Sequence, residues 1–287
     1  DSQGCQAESQ DVIVTPNTTP TFTTVATNVT CDGGSDGTIT ITPANGIAPY
    51  TFTLTGPVIN TTGDSTGVYS GLPAGSYTVV VTDAKGCPSA AASAIPITAP
   101  AAVTVAPSLV PFGCNSSNAP TDAIVTLAPA GGTPGYTYSF DGGITWQSSP
   151  SYSVNTAQTI SYMVSDSNGC KSAVGTIPVP AYTPPTDMDI SQSIIYCNTP
   201  GLAATVTVNS VTGGVGPFVF EIISPTATTP SAPTAAPFDF NNLAADTYEI
   251  KVTDANGCST TKSIIVEEAD KIAATAQVIN EVYCNSD

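Results

Sequence analysis

The chain has 287 residues, only 9% of them charged, and its 22 acidic side chains against 5 Lys and Arg give a net charge of −17. Such acidity disfavours nucleic acid as a partner, and no apolar run approaches the roughly 18 residues needed to span a membrane. Thr, Ser, Val, Gly and Pro are abundant, and this composition predicts an all-β protein with almost no helix.

Eight cysteines and no histidine occur in the sequence. Zinc sites commonly recruit His or closely spaced Cys pairs, whereas cysteines at regular long spacing are typical of disulfides in an oxidising compartment. The sequence therefore predicts an extracellular or periplasmic protein without a metal centre of that kind.

Internal repeats are the strongest signal in the sequence. The segments DSQGC, DAKGC, DSNGC and DANGC end at Cys5, Cys87, Cys170 and Cys258, at intervals of 82, 83 and 88 residues. A second set, Cys31, Cys114, Cys197 and Cys284, recurs at intervals of 83, 83 and 87. We call the first set tail cysteines and the second set head cysteines, because they fall near the ends and the starts of the units.

This period is the size of an immunoglobulin or fibronectin type III sandwich, so we expect tandem all-β sandwich repeats of about 83–88 residues. We expect the chain to be cut from a longer array. The predicted units are the tail of a preceding repeat (1–16), repeat 1 (17–99), repeat 2 (100–182), repeat 3 (183–269) and the start of a following repeat (270–287).

Each repeat shows the same order of elements. In repeat 1 an extended stretch precedes Cys31, and a Gly-rich loop follows at 32–37. Residues 38–42 then alternate Thr with Ile, which predicts a strand with one solvent-exposed face. A Gly/Pro turn then leads to aromatic residues two positions apart, such as Tyr50 and Phe52. Such pairs share one face of a strand, and we interpret them as core.

A tyrosine near the start of a later strand resembles the tyrosine corner of fibronectin-like sandwiches. Tyr77 and Tyr248 occupy this position and should donate a hydrogen bond back to the preceding loop. In repeat 2 the position is held by Ile160, with Tyr162 two residues later, so that corner must be built differently.

Two disulfide schemes preserve the register of the repeats. One closes each repeat on itself, through Cys31–Cys87, Cys114–Cys170 and Cys197–Cys258; the other joins each tail cysteine to the next head cysteine, as in Cys87–Cys114. We favour the first, because head-to-tail sandwiches would separate the partners of the second by more than a bridge allows. A strict fibronectin topology, however, puts the two cysteines of one repeat at opposite ends.

The aspartate that opens each tail segment is a candidate calcium ligand, and Ca²⁺ is the one cofactor considered. We favour another role, in which Asp1, Asp83, Asp166 and Asp254 accept backbone N–H bonds of a turn whose glycine adopts positive φ. Trp146, the single tryptophan, follows Asp141 in a hairpin-like stretch and is the candidate surface contact, although packing on its own domain is the favoured interpretation.

Repeat 1 combines C-x-G-G-S-x-G-x-I-x-I, a Pro-Tyr-x-aromatic strand, L-P-A-G-S-Y-T-V and D-A-x-G-C. The residues concerned are Cys31, Gly33, Gly34, Gly37, Pro49, Tyr50, Leu72, Gly75, Tyr77, Asp83, Gly86 and Cys87. This combination resembles the SprB-type repeats of very large gliding-motility adhesins of Bacteroidota. Repeats 2 and 3 contain less exact versions of the same motifs.

The resemblance implies export by the type IX system and display on the cell surface. It also implies partnership with neighbouring repeats, surface polysaccharide or the gliding machinery. Asp64-Ser65-Thr66 fits the short O-glycosylation pattern of that phylum, which makes Ser65 a candidate acceptor.

The sequence predicts a non-enzymatic stalk or filament segment of a surface adhesin that carries attachment force. The alternative is a glycan-binding module based on Trp146. We find no nucleophile elbow or recurring acidic pair that would suggest a hydrolase.

Overall fold

The computed structural model describes Gln3 and residues 18–91, 93–194, 203–267 and 275–277. The two predicted partial repeats therefore lie almost wholly outside the described residues. Within the described ranges all regular secondary-structure elements are β-strands, which confirms the all-β prediction. No helix in these ranges is long and apolar enough to cross a membrane.

Repeat 1 forms two three-stranded antiparallel sheets, ordered β1-β2-β4 and β3-β5-β6. This is the strand order of an immunoglobulin-like sandwich. The strands are β1 (Thr21–Thr27), β2 (Gly37–Ala44), β3 (Thr51–Thr55), β4 (Val68–Leu72), β5 (Gly75–Thr82) and β6 (Ile95–Ile97).

The core of repeat 1 follows from the period-two pattern. Ile39 and Ile41 of β2 are buried while Thr40 and Thr42 are exposed, as the alternation predicts. From the opposite sheet Phe52 contributes to the same core, and Tyr50 packs against it. The interpretation of the aromatic pairs as core is thus confirmed here, and Phe220 of repeat 3 is likewise fully buried with Phe218 packed beside it.

Repeats 2 and 3 show the same strand order. Repeat 2 has sheets β12-β10-β7 and β11-β13-β14 with a short β8-β9 pair, and repeat 3 has sheets β15-β16-β18 and β17-β19-β20. Their strands are β7 (Thr104–Val110), β8 (Gly113–Cys114), β9 (Pro120–Thr121), β10 (Ala123–Ala130), β11 (Thr137–Ser139), β12 (Ser151–Val154), β13 (Gln158–Ser165), β14 (Gly175–Val179), β15 (Asp187–Gln192), β16 (Ala204–Thr212), β17 (Val219–Ser224), β18 (Phe238–Leu243), β19 (Asp246–Thr253) and β20 (Ser259–Val266).

The chain divides into two compact units. Unit 1 comprises the described residues of Asp1–Pro107 together with Leu127–Pro150 and Ser161–Thr176, and unit 2 comprises Ser108–Thr126, Ser151–Ile160 and the described residues of Ile177–Asp287. The division passes through repeat 2, so each unit contains one complete neighbouring repeat and one part of repeat 2.

Backbone contacts fix the two ends of repeat 1. The N–H of Val29, just after β1, donates to the Thr98 carbonyl, just after β6, over 3.1 Å. The N–H of Ala84, just after β5, donates to the Ile47 carbonyl, beyond β2, over 2.8 Å. The head cysteine therefore lies at the end where β1 and β6 finish, and the tail cysteine lies at the opposite end.

Tyrosine corners occur where the sequence predicts them. The Tyr77 hydroxyl donates to the Pro73 carbonyl over 2.8 Å, and the Tyr248 hydroxyl donates to the Ala244 carbonyl over 3.0 Å. Burial is the main cause that raises the pKa of both phenols. In repeat 2, Ile160 and Tyr162 are both buried, so an apolar side chain fills the corner position, as expected from the departure in sequence.

Candidate functional site

Two disulfides each join the head cysteine of one repeat to the tail cysteine of the next. Cys31 is bonded to Cys170, with Cα atoms 5.6 Å apart, and Cys114 is bonded to Cys258, with Cα atoms 4.8 Å apart. The first bridge lies within unit 1 and the second within unit 2. The candidate functional site of this protein is therefore a pair of covalent links between successive repeats.

These bonds overturn the favoured pairing within repeats. Cys31–Cys87, Cys114–Cys170 and Cys197–Cys258 were wrong, because a member of each pair is bonded elsewhere. The alternative scheme is excluded for the same reason.

The cause of the error is strand direction. The head and tail cysteines of repeat 1 lie at opposite ends of strands of 8 residues, such as β2 and β5, or roughly 25 Å at the usual rise. A disulfide needs Cα atoms within about 7 Å.

The first bridge is held by two ordered loops. On the Cys31 side, the Thr30 N–H donates to Asp36 Oδ1 over 2.9 Å, and the Thr30 hydroxyl donates to the other Asp36 oxygen. The side-chain hydrogen bond from Thr30 is the main cause that lowers the pKa of Asp36. The Gly34 N–H closes the loop on the Cys31 carbonyl at 3.0 Å.

Asp166 orders the Cys170 side of the first bridge. Its Oδ1 accepts the N–H groups of Asn168 at 3.0 Å and Cys170 at 2.8 Å, while its Oδ2 accepts the Thr133 N–H at 2.8 Å. These hydrogen bonds lower the pKa of Asp166, and the bond from Thr133 is the main cause. Asp166 thus fixes the tail turn and ties it to the loop before β11, and Cys170 itself is buried.

At the second bridge the backbone at Gly113 and Cys114 lies in direct contact with the backbone at Asn256. The Cys114 N–H donates to the Asn256 carbonyl over 3.0 Å, and a Cβ on Gly113 would come within 2.4 Å of that same carbonyl oxygen. Asn118 forms two hydrogen bonds with Ser259, the residue that follows Cys258. Its Nδ2 donates to the Ser259 carbonyl at 3.0 Å, and its Oδ1 accepts the Ser259 N–H at 2.8 Å. Only a residue without a side chain fits at Gly113.

Asp254 repeats the role of Asp166 at the second bridge. Its Oδ1 accepts the N–H groups of Asn256 at 3.0 Å and Cys258 at 2.9 Å, and its Oδ2 accepts the Val215 N–H at 3.0 Å. That Oδ2 also accepts the hydroxyl of Tyr182, from the segment that connects repeats 2 and 3, at 2.6 Å. Burial, followed by the hydrogen bond to Asp254, raises the pKa of Tyr182.

The tail aspartates therefore accept turn N–H bonds, as the sequence predicts. The oxygens of Asp166 and Asp254 accept bonds from backbone donors, which is the arrangement of a turn cap. In the part of the chain that the structure describes, no three metal-ligating side chains cluster.

Trp146 packs mainly on its own hairpin. Its Nε1 donates to the Gly143 carbonyl over 3.2 Å, and Lys171 Nζ lies 5.2 Å from the ring centroid. Asp141 organises this hairpin by accepting the N–H groups of Ile144 and Thr145 and the Thr145 hydroxyl, and the hydroxyl bond is the main cause that lowers its pKa. The indole is half-buried, with its donor used internally and a cation above its ring.

Ser65 is exposed in the loop between β3 and β4. Its neighbour Asp64 is anchored by the Tyr69 hydroxyl, which donates to Asp64 Oδ1 over 2.7 Å. Burial, followed by that hydrogen bond, raises the pKa of Tyr69. The candidate acceptor hydroxyl is thus accessible on an ordered loop.

Sequence reasoning missed Gly113, Asn118, Asp36 and Tyr182 as parts of the bridge sites. A signal was present for the pairing itself, since strict fibronectin topology separates the two cysteines of one repeat. No periodic signal marks Tyr182. The equivalent bonds Gly132 N–H to Ala101 and Gly214 N–H to Thr183 show that Pro100 takes its place in the linker in front of repeat 2.

The strand order and the bridges define a class: tandem immunoglobulin-like β-sandwich repeats cross-linked between neighbours. Residues 23–58 match the family model of the SprB repeat, which confirms the suspected resemblance. No curated protein matches the sequence significantly.

The solved structures that match this chain include two of a protocadherin. Protocadherin Gamma B2 extracellular cadherin domains 3–6 align over 85% of this chain and 71% of theirs, at 12% identity and a TM-score of 0.26. Domains 1–5 of the same protein align over 86% of this chain, which spans 58% of that structure, at 11% identity and a TM-score of 0.22. Similarity at these TM-scores does not indicate a shared function.

Proposed function

We propose that this chain is a tension-bearing segment of a large cell-surface adhesin of the kind that carries SprB repeats. The observation that supports the proposal is the disulfide between the head cysteine of one repeat and the tail cysteine of the next. Cys31–Cys170, for example, links repeats 1 and 2 covalently. A spacer that only separates a binding domain from the cell needs no such link. A segment that transmits force gains from it, because tension can pass between repeats without relying on their non-covalent contacts.

The cellular setting agrees with this role. Disulfides persist in oxidising compartments outside the cytosol, and the SprB repeat points to a cell-surface, adhesin-like protein. All-β sandwich repeats and the SprB match are typical of non-enzymatic structural and adhesion proteins. Export by the type IX system, coupling to the gliding machinery and contact with surface polysaccharide are the finer parts of the proposal, and they rest on the resemblance.

The glycan-binding alternative has weaker support. It depends on Trp146 as a stacking platform, but the indole N–H is bonded to Gly143 and one face is approached by Lys171. We therefore place adhesion itself outside this hairpin and assign the segment the role of a load-bearing connector.

A shear-detachment assay on cells tests the role. The parent protein would be displayed in its native host with Cys31→Ser/Cys170→Ser combined with Cys114→Ser/Cys258→Ser, and surface amounts would be matched by antibody labelling. We expect the variant cells to attach normally at rest and to detach at lower shear stress than cells with the original protein.

Trp146→Ala is the matched control and should leave detachment unchanged. A variant that lacks both bridges yet resists the same shear would refute the load-bearing role. Loss of attachment at rest in Trp146→Ala would instead favour the glycan-binding alternative, and a glycan array with the purified chain would then identify the ligand.

A further inference from the structure

The two bridges overlap along the sequence. Cys114 lies inside the loop closed by Cys31–Cys170, and Cys170 lies inside the loop closed by Cys114–Cys258. Each bridge merges two chain positions into one covalent branch point. Three peptide segments, 31–114, 114–170 and 170–258, therefore connect the same two branch points.

We propose that the overlapping bridges place these three segments in parallel, so that under tension they must extend together and extension stops at the shortest one. The biological meaning rests on the proposed tension-bearing role, whereas the limit itself is a property of the oxidised polypeptide. In an array linked only by peptide bonds, the repeats are in series and the weakest unfolds first without loading its neighbours further.

The parallel segments carry strands from all three repeats. Segment 31–114 contains β2 to β8, segment 114–170 contains β9 to β13, and segment 170–258 contains β14 to β19. Moving the branch points apart therefore requires strands of repeats 1, 2 and 3 to be pulled out at the same time. The force needed for the first large extension should exceed that for any single repeat.

The lengths of the segments set the limit. Their ends differ by 83, 56 and 88 in residue number, whereas Cys31 and Cys258 differ by 227. At about 3.5 Å per extended residue, the shortest segment reaches about 200 Å and the uncrosslinked chain about 800 Å. Repeat 2, which supplies the shortest segment, acts as the stop.

The two sulfurs of each bridge differ in exposure. Cys170 and Cys258 are only 8% and 1% exposed, and both lie in turns capped by an aspartate that accepts their backbone N–H, whereas Cys31 and Cys114 are half-buried. A thiol in solution must reach a sulfur to attack it, so Cys31 and Cys114 are the accessible sides of the two bonds while the repeats are folded.

Single-molecule pulling on the whole 287-residue chain tests the inference. Handles would be attached through azide-bearing residues that replace Val25 and Ile265, which are 69% and 60% exposed and lie just outside the two bridges. The oxidised chain should give one cooperative rupture and a limit of about 200 Å, and the fully reduced chain should give separate events and a limit of about 800 Å. The handles add the same short length to every measurement.

Paired variants distinguish this connectivity from pairing within repeats, which would also give a short limit in the oxidised chain. With Cys31→Ser/Cys170→Ser the limit should rise to about 290 Å, and with Cys114→Ser/Cys258→Ser to about 310 Å. Pairing within repeats would instead give about 600 Å for either variant. Covalent topology sets these limits, so non-reducing peptide mapping of each paired variant first verifies that the retained bridge has formed.

Limits near 600 Å in the paired variants, or separate events in the oxidised chain, would overturn the inference. If the limits are as expected but shear detachment is unaffected by the bridges, the proposed function fails while the parallel arrangement stands. If the limits are wrong, the inference fails whatever the shear result.

Discussion

The Tyr182 hydroxyl donates a 2.6 Å hydrogen bond to Asp254 Oδ2, and the other oxygen of the same carboxylate accepts the N–H of Cys258. One aspartate thus connects the segment before repeat 3 with the turn that holds a bridge cysteine. The position of that cysteine depends on a phenol 76 residues earlier in the chain. This connection makes Tyr182 the most informative single side chain to change in unit 2.

Tyr182→Phe should lower the free energy of unfolding by about 1.5–3 kcal/mol, since hydrogen bonds to charged groups contribute more than those between neutral groups. Denaturant titration measures the change. Tyr136→Phe is the matched control, because its hydroxyl donates over the same 2.6 Å to a neutral carbonyl, that of Gly131, and should cost about 0.5–1.5 kcal/mol. A cost for Tyr182→Phe clearly below that of the control would contradict the role assigned to Asp254.

Gly113→Ala should disturb the second bridge without removing a cysteine. The added Cβ would meet the Asn256 carbonyl oxygen at 2.4 Å, which is backbone and cannot move aside alone. We expect a lower melting temperature and a larger fraction of chains without the Cys114–Cys258 bond after oxidative refolding, measured by non-reducing peptide mapping.

Gly216→Ala is the control for that substitution, because its nearest neighbour is the Phe218 ring at 3.5 Å, an ordinary contact distance. It should leave bridge formation unchanged. Equal bridge yields for the two variants would show that the close approach at Gly113 is not needed.

Tyr77→Phe and Tyr248→Phe should each cost about 1 kcal/mol, because each loses one hydrogen bond to a loop carbonyl while its buried ring stays in place. Ile160→Val, at the same corner position in repeat 2, loses one methylene and should cost about 0.5–1.5 kcal/mol through packing alone. Denaturant titration of the three variants compares the two kinds of corner. A phenol removal without measurable cost would argue that the tyrosine ring, and not its hydroxyl, holds the turn.

Much of the fold could be predicted from the sequence because it depends on local patterns. Alternation of Ile39 and Ile41 with threonines specified a half-buried strand, and the offset of Tyr77 from the preceding loop specified a corner. The bridges depend on how strands run and on which ends of successive repeats meet, and that information is not local. Cysteine spacing alone is equally compatible with several pairings, and our choice failed because it gave too little weight to strand direction, which places Cys31 and Cys87 at opposite ends of repeat 1.

Calcium should not stabilise the protein. Both oxygens of Asp166 and of Asp254 already accept hydrogen bonds from backbone N–H groups, with Tyr182 adding another at Asp254, so binding a cation would break turn contacts. Thermal unfolding with millimolar Ca²⁺ and with EDTA should give the same melting temperature. A rise with Ca²⁺ that is lost in Asp166→Asn would contradict this prediction and place a site at the tail turn.

Acid should weaken the protein through its hydrogen-bonded carboxylates. The pKa values of Asp36, Asp141, Asp166 and Asp187 are lowered from 3.8 in the folded state, each by hydrogen bonds to the charged form. A carboxylate with a lowered folded pKa contributes stability that is complete above the unfolded pKa and is lost as the pH falls through the folded value. The free energy of unfolding should therefore be flat near neutrality and fall as the pH drops below about 4.5.

Asp141→Asn offers the sharpest test of this acid dependence, because the Asp141 carboxylate accepts hydrogen bonds from four donor groups: the Ile144 and Thr145 N–H groups and the hydroxyls of Thr145 and Ser139. The variant should be less stable at pH 7 and should lose less stability than the original chain between pH 5 and pH 3, since the amide does not titrate. Urea titrations at several pH values give both quantities. Ile144→Ala, in the same hairpin with an exposed side chain, should shift stability little and keep the original acid slope; an unchanged slope in Asp141→Asn would mean that other carboxylates dominate the acid response.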